Sequence, residues 1–200
     1  MRPSQTPGLA AGGDQSGPAT VDNASVHILF VCTGNICRSP TAERLAAAFS
    51  TRDPIPDFRA SSAGTRAVIG HPIHREAARV LADLGGDPAD FAARQLTAKV
   101  AADADLVLAL TKEHRDGVLE LAPRQLHRTF TLTEAAQLTT QFDPGSVKDL
   151  SALRPQLRAD QSPDVPDPIG QSPEFFDQIG AQIAGLLEPI VEFCRRASTA

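Results

Sequence analysis

The feature that most restricts the fold is a regular alternation of short apolar runs with segments of helical spacing. Residues 26–32 (VHILFVC) and 106–110 (LVLAL) are nearly continuous apolar runs, and 58–62 and 127–131 are further strand candidates. A helical pattern follows each of them, and the last one extends over 173–196. Continuous apolar strands are typical of a parallel sheet buried on both faces, with helices as the connections. The sequence therefore predicts an α/β fold with helices on both sides of a parallel sheet.

The chain divides into a tail and one domain. Residues 1–24 are rich in Gly, Pro, Ser, Gln and Ala without periodicity, which predicts a disordered N-terminal tail. The remainder, residues 25–197, has the size of a single domain. Within it, residues 139–166 contain prolines and scattered charges, and we interpret them as a long irregular loop.

Charge and cysteine content exclude several classes of function. The net charge is −5, and a mildly acidic chain is unsuited to general binding of nucleic acid or of anionic membranes. The N-terminal stretch has no apolar core of the signal-peptide type. Three cysteines cannot all pair with one another, so no disulfide framework is indicated. These features predict a cytoplasmic protein.

The strongest local signal is the segment CTGNICRSP at the end of the first predicted strand. Cys32 and Arg38 are separated by five residues, between a buried strand and the start of a helix. In open α/β sheets, ligands bind at the carboxyl ends of the strands, and a tight loop there can direct backbone N–H groups at an anion. We expect Ser39 to be the N-cap of the helix and Pro40 its first residue. The plainer alternative is a buried strand cysteine beside a surface arginine.

The residue types in this loop suit phosphoryl chemistry. N–H dipoles and Arg38 would stabilise a Cys32 thiolate, which is a good nucleophile, and a guanidinium can hold two phosphoryl oxygens. Gly34 is expected where a side chain would obstruct the turn, and Asn35 tolerates left-handed backbone. Ser39 could donate a hydrogen bond to the sulfur when it leaves.

The same segment resembles the signature of the low-molecular-weight protein tyrosine phosphatase family, V-C-x-G-N-I-C-R-S-P. The similarity covers residues 31–43 (VCTGNICRSPTAE) without interruption. It continues weakly through 61–65 (SSAGT), 93–97 (ARQLT), 104–110 (ADLVLAL) and the Asp-Pro pair at 167–168. It implies a single doubly wound domain with a four-stranded parallel sheet. It also implies an enzyme that needs neither a metal nor a cofactor. It also implies a phosphate-binding loop and a supporting serine, namely Thr33, Gly34, Asn35, Ile36, Cys37, Arg38, Ser39 and Ser62.

A proton donor is also implied by the resemblance. A phosphate monoester has a poor leaving group unless its oxygen is protonated, and a carboxylic acid can supply that proton. The family's general acid is the Asp of an Asp-Pro pair before the last helix, which corresponds to Asp167. Asp164 is the reserve candidate, and Asp143 belongs to a second Asp-Pro pair that lies too early in the chain.

Two positions bear on the substrate. Many family members carry an aromatic residue after the Asp-Pro pair, whereas this chain has Ile169, which cannot stack on a phosphotyrosine ring. Relatives that act on phosphoarginine carry Thr in the loop where this chain has Ile36, which matches the tyrosine-specific branch. A histidine that often precedes the ARQ segment is replaced by Phe91. Phosphotyrosine is the predicted substrate, and phosphoarginine is the alternative.

Other functions remain as alternatives. Cys37 resembles the family's second cysteine, which can form a reversible disulfide with the nucleophile, and it could equally be a packed core residue. Arsenate reductases share the loop but need two further relay cysteines, and no cysteine lies between 38 and 193. The loop could also bind phosphate without turnover. The resemblance implies a phosphorylated protein as partner, such as a bacterial tyrosine kinase or its substrate.

Overall fold

The computed structural model describes residues 26–158 and 162–198, so the predicted tail lies outside the described residues. Strands and helices alternate as the sequence predicts. The strands are β1 (His27–Cys32), β2 (Arg59–Gly64), β3 (Leu106–Ala109) and β4 (Thr129–Thr131). The α-helices are α1 (Arg38–Arg52), α2 (Arg75–Asp83), α3 (Ala98–Ala102), α4 (Lys112–Leu121), α5 (Leu132–Gln141), α6 (Val147–Leu153) and α7 (Pro173–Ala197). Short 3-10 helices occupy Pro123–Gln125 and Arg154–Gln156.

The four strands form one parallel sheet in the order β2-β1-β3-β4, which confirms the doubly wound fold. All six residues of β1 are buried. Phe30 and its neighbours on one face pack against α1, α5 and α7, and Leu29 and Val31 on the other face pack in a second apolar cluster with Val118 of α4. The chain reverses its direction of winding between β1 and β3, and the carboxyl end of β1 therefore lies at the usual ligand position.

Helix α7 is the longest element, with 25 residues. Its apolar residues recur at helical spacing and face the core, among them Phe176, Ile179 and Ile183. Gly180 lies against Val80 of α2, where a side chain could not be accommodated. Within the described ranges, none of the helices combines the length and the hydropathy needed to cross a membrane.

The interpretation of residues 139–166 as irregular is wrong for its first half. Helix α5 continues to Gln141, and α6 forms at Val147–Leu153. The Ser146 hydroxyl caps α6 by accepting the N–H of Asp149 at 3.3 Å, and Leu150 is fully buried. A helix this short presents one fully buried apolar residue to the core, so its periodicity is too weak to be recognised in the sequence.

Strand β2 lies slightly later in the chain than predicted and ends at Gly64 instead of residue 62. The extension is stabilised by residues 93–96 (the ARQL segment), which lie beside the end of β2. Gly64 N–H donates to Arg94 O at 3.0 Å, and Leu96 N–H donates to Gly64 O at 2.8 Å. An Ala-Gly pair is a usual strand terminator. Here the partners of the Gly64 backbone come from a segment about 30 residues later in the chain. A local sequence pattern cannot show such a contact.

Gly64 permits the close approach of β2 to the loop after β1, and its replacement by alanine should destabilise the fold. A Cβ there would lie 2.5 Å from Thr33 O and 3.0 Å from Ala67 Cα, so backbone must move. We expect the free energy of unfolding to fall by about 1–3 kcal/mol, as for other overpacked sites. Urea unfolding measures it. Gly185→Ala in α7 is the control, because a Cβ there meets no atom within 4 Å. This variant should raise the free energy of unfolding by up to about 1 kcal/mol, since alanine favours a helix more than glycine does. Equal stability of Gly64→Ala and wild type would contradict the packing argument.

Candidate active site

The loop between β1 and α1 spans residues 33–37, and α1 begins at Arg38. The first turn starts from the carbonyl of Cys37, which accepts the Thr41 N–H at 3.1 Å and the Thr41 hydroxyl at 2.9 Å. The prediction that Ser39 caps the helix and Pro40 begins it is therefore wrong by two residues. Pro40 is still in the first turn, where its missing N–H costs nothing. Ser39 is left free to face the loop instead of capping the helix.

The carbonyl groups of this loop are occupied by a second loop, residues 65–74. The hydrogen bonds are Thr65 N–H to Cys32 O (2.9 Å), Arg66 N–H to Thr33 O (3.0 Å), Val68 N–H to Gly34 O (2.9 Å) and His74 N–H to Ile36 O (2.6 Å). Because these carbonyls face the second loop, the N–H groups of the same peptides are left for the interior of the first loop. Successive N–H groups arranged in this way form a cradle for an anion.

Asn35 braces the loop from inside. Its backbone has φ 54°, the left-handed region that the sequence predicted for it. Its side-chain Nδ2 donates to Ser39 Oγ at 3.0 Å and to Ser62 Oγ at 2.7 Å, and its Oδ1 accepts the Arg94 N–H at 2.8 Å. These three bonds join the loop to α1, to β2 and to the ARQL segment. Ser62 thus contacts Asn35, as the resemblance implied.

The expectation for Gly34 is not supported. Its φ is not positive, and a Cβ there would lie 3.4 Å from Ile36 Cγ1 and 3.6 Å from Val68 Cγ2, which is ordinary van der Waals contact. The left-handed residue that tightens this turn is Asn35, whose side chain is held by hydrogen bonds.

Glu43 and Arg94 also belong to this network, and the sequence did not predict them. Ser62 Oγ donates to Glu43 Oε2 at 2.6 Å, and Arg94 Nε donates to Ser62 O at 2.7 Å. Burial raises the pKa of Glu43, and the hydrogen bond from Ser62 opposes that rise. Glu43 follows Ser39 by four residues, so helical spacing places both on one face, which is a usable signal. Arg94 has no comparable local signal.

Phe91, which replaces the family's histidine, makes no hydrogen bond to the loop and lies under the guanidinium of Arg44, 5.7 Å from it. The hydrogen bond that this region gives to the loop comes from the backbone N–H of Arg94, which Asn35 Oδ1 accepts.

Cys32 ends β1 with its sulfur at the base of the loop. Sγ lies 2.9 Å from Ser39 Oγ, and the residue is buried. Burial raises the pKa of Cys37 to about 12, with the charges of Cys32 and Asp167 acting in the same direction. Burial alone raises the pKa of Cys194 to about 12. Cys37 and Cys194 are thus thiols at neutral pH and poor nucleophiles.

Arg38 and Asp167 meet at the open side of the loop. Arg38 Nη2 lies 2.7 Å from Asp167 Oδ2, and Arg38 Nη1 donates to Val165 O at 3.0 Å. Arg38 is 5% exposed whereas the Asp167 side chain is 48% exposed, so the carboxylate is at the surface of the site. Ile169 N–H donates to Asp167 Oδ1 at 3.2 Å and helps to orient it.

The other aspartates are engaged elsewhere. Asp164 Oδ1 accepts the N–H of Lys112 at 2.8 Å, at the start of α4. Asp143 lies 3.1 Å from Arg196 in an exposed ion pair. Among the candidate acids, Asp167 is the one that contacts Arg38 in the structure.

The side chains near the loop's opening are aliphatic. Ile169 is 45% exposed, Val68 is 38% exposed and Ile69 is 69% exposed. Val68 lies beside Ile36, since both would contact a Cβ at position 34. Exposed apolar side chains around a polar cleft suit contact with the apolar part of a ligand.

His114 is a further residue that the sequence did not indicate. It lies in the first turn of α4, is 4% exposed, and places Nε2 2.8 Å from Thr33 Oγ1. A lone histidine in an amphipathic helix carries no spacing signal, because its partner is 81 residues away in the chain.

Comparison with known proteins shows similar sequences and folds. A segment of 102 residues is 42% identical to the low molecular weight protein-tyrosine-phosphatase Etp of Escherichia coli (strain K12) and spans 51% of this chain and 66% of Etp. The matched segment thus covers just under two thirds of that relative. A low molecular weight protein tyrosine phosphatase structure from T. tengcongensis superposes with a TM-score of 0.68 at 32% identity, over 84% of this chain and 99% of that one. The YwlE arginine phosphatase from Geobacillus stearothermophilus superposes with a TM-score of 0.64 at 29% identity, over 84% and 91%.

A family model covers nearly all of the domain. Residues 27–197 match the low molecular weight phosphotyrosine protein phosphatase model, a range that begins at the first residue of β1 and ends at the last residue of α7. It includes the loop with Cys32 and Arg38 as well as Asp167. The chain belongs to the low molecular weight phosphotyrosine protein phosphatase family.

Proposed function

We propose that this chain is a cysteine-dependent protein phosphatase that hydrolyses phosphate monoesters through a phosphocysteine intermediate. The observation that carries the proposal is the convergence of four side chains at the end of β1. Cys32 Sγ lies 2.9 Å from Ser39 Oγ, and Arg38 Nη2 lies 2.7 Å from Asp167 Oδ2. A binding module has no use for a nucleophile, a sulfur hydrogen-bond donor and a carboxylate together.

In the first step, the Cys32 thiolate attacks the phosphorus atom and the bond to the substrate oxygen breaks. Asp167, protonated, gives its proton to that oxygen, so the product leaves as a neutral alcohol or phenol. Arg38 and the loop N–H groups bind the three remaining phosphoryl oxygens, whose charge is stabilised in the transition state. The sulfur ends this step bonded to the phosphorus.

In the second step, water attacks the phosphocysteine. Asp167, now ionised, accepts a proton from the water, and the phosphorus–sulfur bond breaks. The sulfur leaves as a thiolate, and the Ser39 hydroxyl donates a hydrogen bond to it. The Ser39 hydroxyl can do this because it accepts the Asn35 Nδ2–H at 3.0 Å, which directs its own hydrogen towards Cys32.

Substrate binding requires an exchange of partners at Arg38. The guanidinium now holds Asp167 through Nη2 and Val165 O through Nη1. A phosphoryl group in the loop would compete with the carboxylate for Nη2, since both are anions that bind guanidinium in the same geometry. Release of the carboxylate would then free Asp167 to face the leaving oxygen. Asp167 is exposed enough to move without disrupting the core.

Turnover of p-nitrophenyl phosphate near pH 6 by freshly reduced protein is the direct test. We expect hydrolysis without added metal. Binding of inorganic phosphate without hydrolysis would instead support the non-catalytic module, and reduction of arsenate would support the reductase alternative.

For the substrate, we expect phosphotyrosine peptides to be hydrolysed faster than phosphoarginine peptides. Ile36 adds apolar bulk inside the loop, and Val68 beside it extends an aliphatic wall. Such a wall suits an uncharged ring better than a cationic guanidino group. Comparison of kcat/KM on matched peptides checks this, with Ile36→Thr as the variant that should narrow the difference. A wild type that prefers phosphoarginine would refute the assignment and favour the phosphoarginine alternative.

The remaining expectations depend on this activity. A phosphorylated protein, such as a bacterial tyrosine kinase or its substrate, is the proposed partner, and the cytoplasm is the proposed location. Cys37 is proposed to protect Cys32 from over-oxidation by forming a disulfide with it. Its place at the end of the same loop as Cys32 supports that role, whereas its burial in the core supports the alternative of a packed core residue.

A further inference from the structure

His114 lies against the residue that directly follows the proposed nucleophile. Its Nε2 is 2.8 Å from Thr33 Oγ1, and the ring is almost completely buried at the start of α4. Thr33 is the first residue of the phosphate loop. The side chain of His114 hydrogen-bonds Thr33 and none of Cys32, Arg38 or Asp167 in the described part of the chain, so we expect its effect on catalysis to act through Thr33.

The ring is neutral over the range in which the enzyme would work. Burial, followed by the positive charge of Arg38, lowers the pKa of His114 to about 4, and Asp167 and Asp164 oppose this in part. Arg66 contributes to the lowering. A neutral imidazole has one N–H and one bare nitrogen.

The position of that proton follows from the other ring nitrogen. Nδ1 of His114 is buried and has no hydrogen-bond partner among the described residues. Buried N–H groups without an acceptor are rarer than buried acceptors without a donor. The proton is therefore placed on Nε2, which donates to Thr33 Oγ1.

The start of α4 also contacts the loop that carries Asp167. The Lys112 N–H donates to Asp164 Oδ1 at 2.8 Å, and just before the helix Val165 N–H donates to Leu110 O at 2.9 Å. Asp164 and Val165 lie three and two residues before the proposed general acid, Asp167. The phosphate loop and the acid loop are thus attached to the same short stretch of chain.

We propose that His114 is a positioning residue that fixes the phosphate loop relative to the acid loop through its hydrogen bond to Thr33. The proposal rests on the phosphatase function proposed above. Loss of the bond would leave the loop folded but would misalign the sulfur and Asp167. The loss should be greatest for substrates whose leaving oxygen most needs a proton.

The test compares His114→Leu, which keeps apolar volume but has no donor, with His114→Gln, which retains a side-chain N–H. We expect His114→Leu to lower kcat/KM about tenfold on phenyl phosphate, the effect of about one hydrogen bond. The loss on p-nitrophenyl phosphate should be smaller, and His114→Gln should restore most of the rate on phenyl phosphate. Thr33→Val should reproduce the loss, and adding His114→Leu to Thr33→Val should reduce kcat/KM no further.

His127→Ala is the matched control, because that histidine is exposed and bonds only Ser151 in the described chain. It should retain wild-type rates. Equal losses on both substrates, or losses that add in the double variant, would assign His114 a merely structural role and overturn the inference. If His114→Leu fails to fold, Thr33→Val replaces it in the test. A larger loss on phenyl phosphate than on p-nitrophenyl phosphate then supports the inference, and equal losses overturn it. A wild type without turnover would refute the proposed function and the inference together, whereas an active wild type with an equally active His114→Leu variant would refute only the inference.

Discussion

Replacement of Cys32 by serine should abolish turnover of phosphate monoesters while leaving phosphate binding in place. Serine differs from cysteine by one atom and keeps the contact with Ser39, so the loop should fold as before. An alcohol is a far weaker nucleophile than a thiolate at neutral pH. We expect kcat on p-nitrophenyl phosphate to fall by a factor on the order of 10⁴ to 10⁶, as when other enzymes lose their nucleophile.

Cys194→Ala is the matched control for that variant. Cys194 is buried in α7 with a pKa raised to about 12, and it takes no part in the proposed chemistry. Its variant should retain wild-type turnover after correction for folded fraction. Because the chain has neither Trp nor Tyr, protein concentration must be measured without absorbance at 280 nm. Persistence of activity in Cys32→Ser would rule out the phosphocysteine mechanism.

Replacement of Asp167 by alanine should slow the reaction in a way that depends on the leaving group. General acid catalysis contributes about 10²- to 10⁴-fold, and we expect a loss in that range on phenyl phosphate. The loss should be smaller on p-nitrophenyl phosphate, because its phenolate leaves readily without a proton. A plot of log kcat/KM against the pKa of the leaving phenol should therefore be steeper for the variant than for wild type, because kcat/KM reports the steps up to departure of the phenol and not the later hydrolysis of the phosphocysteine.

Two controls accompany this variant. Asp143→Ala removes the aspartate of another Asp-Pro pair. That side chain is exposed and contacts Arg196, and the variant should retain full activity. Asp167→Asn removes the acid but keeps a hydrogen-bond acceptor, and it should show the same leaving-group dependence as Asp167→Ala. If all leaving groups lost equal activity, Asp167 would have to be assigned to binding through Arg38 rather than to proton transfer.

Local sequence signals were sufficient for the fold and for the nucleophile loop. The apolar run of β1, the loop and the start of α1 are contiguous, so strand burial, turn chemistry and the Cys32–Arg38 spacing can be read within residues 26–40. Even there, the exact start of α1 was missed by two residues, because a contact between Cys37 and Thr41 decides it. Short elements such as α6 were missed because their few buried residues carry no clear period.

Long-range contacts decided how the site is completed. Asp167 is 129 residues from Arg38 in the chain, and its choice over Asp164 depended on a resemblance until the structure showed which carboxylate meets the guanidinium. His114 and Arg94 had no local signal, since each acts on a loop far from it in sequence. The sequence by itself determined a parallel α/β sheet and a tight loop with Cys32 and Arg38 at the end of β1, because periodicity and turn propensity are local properties. The tertiary structure alone decided which acid, which histidine and which backbone donors surround that loop, because these depend on how separate βα units pack against one another.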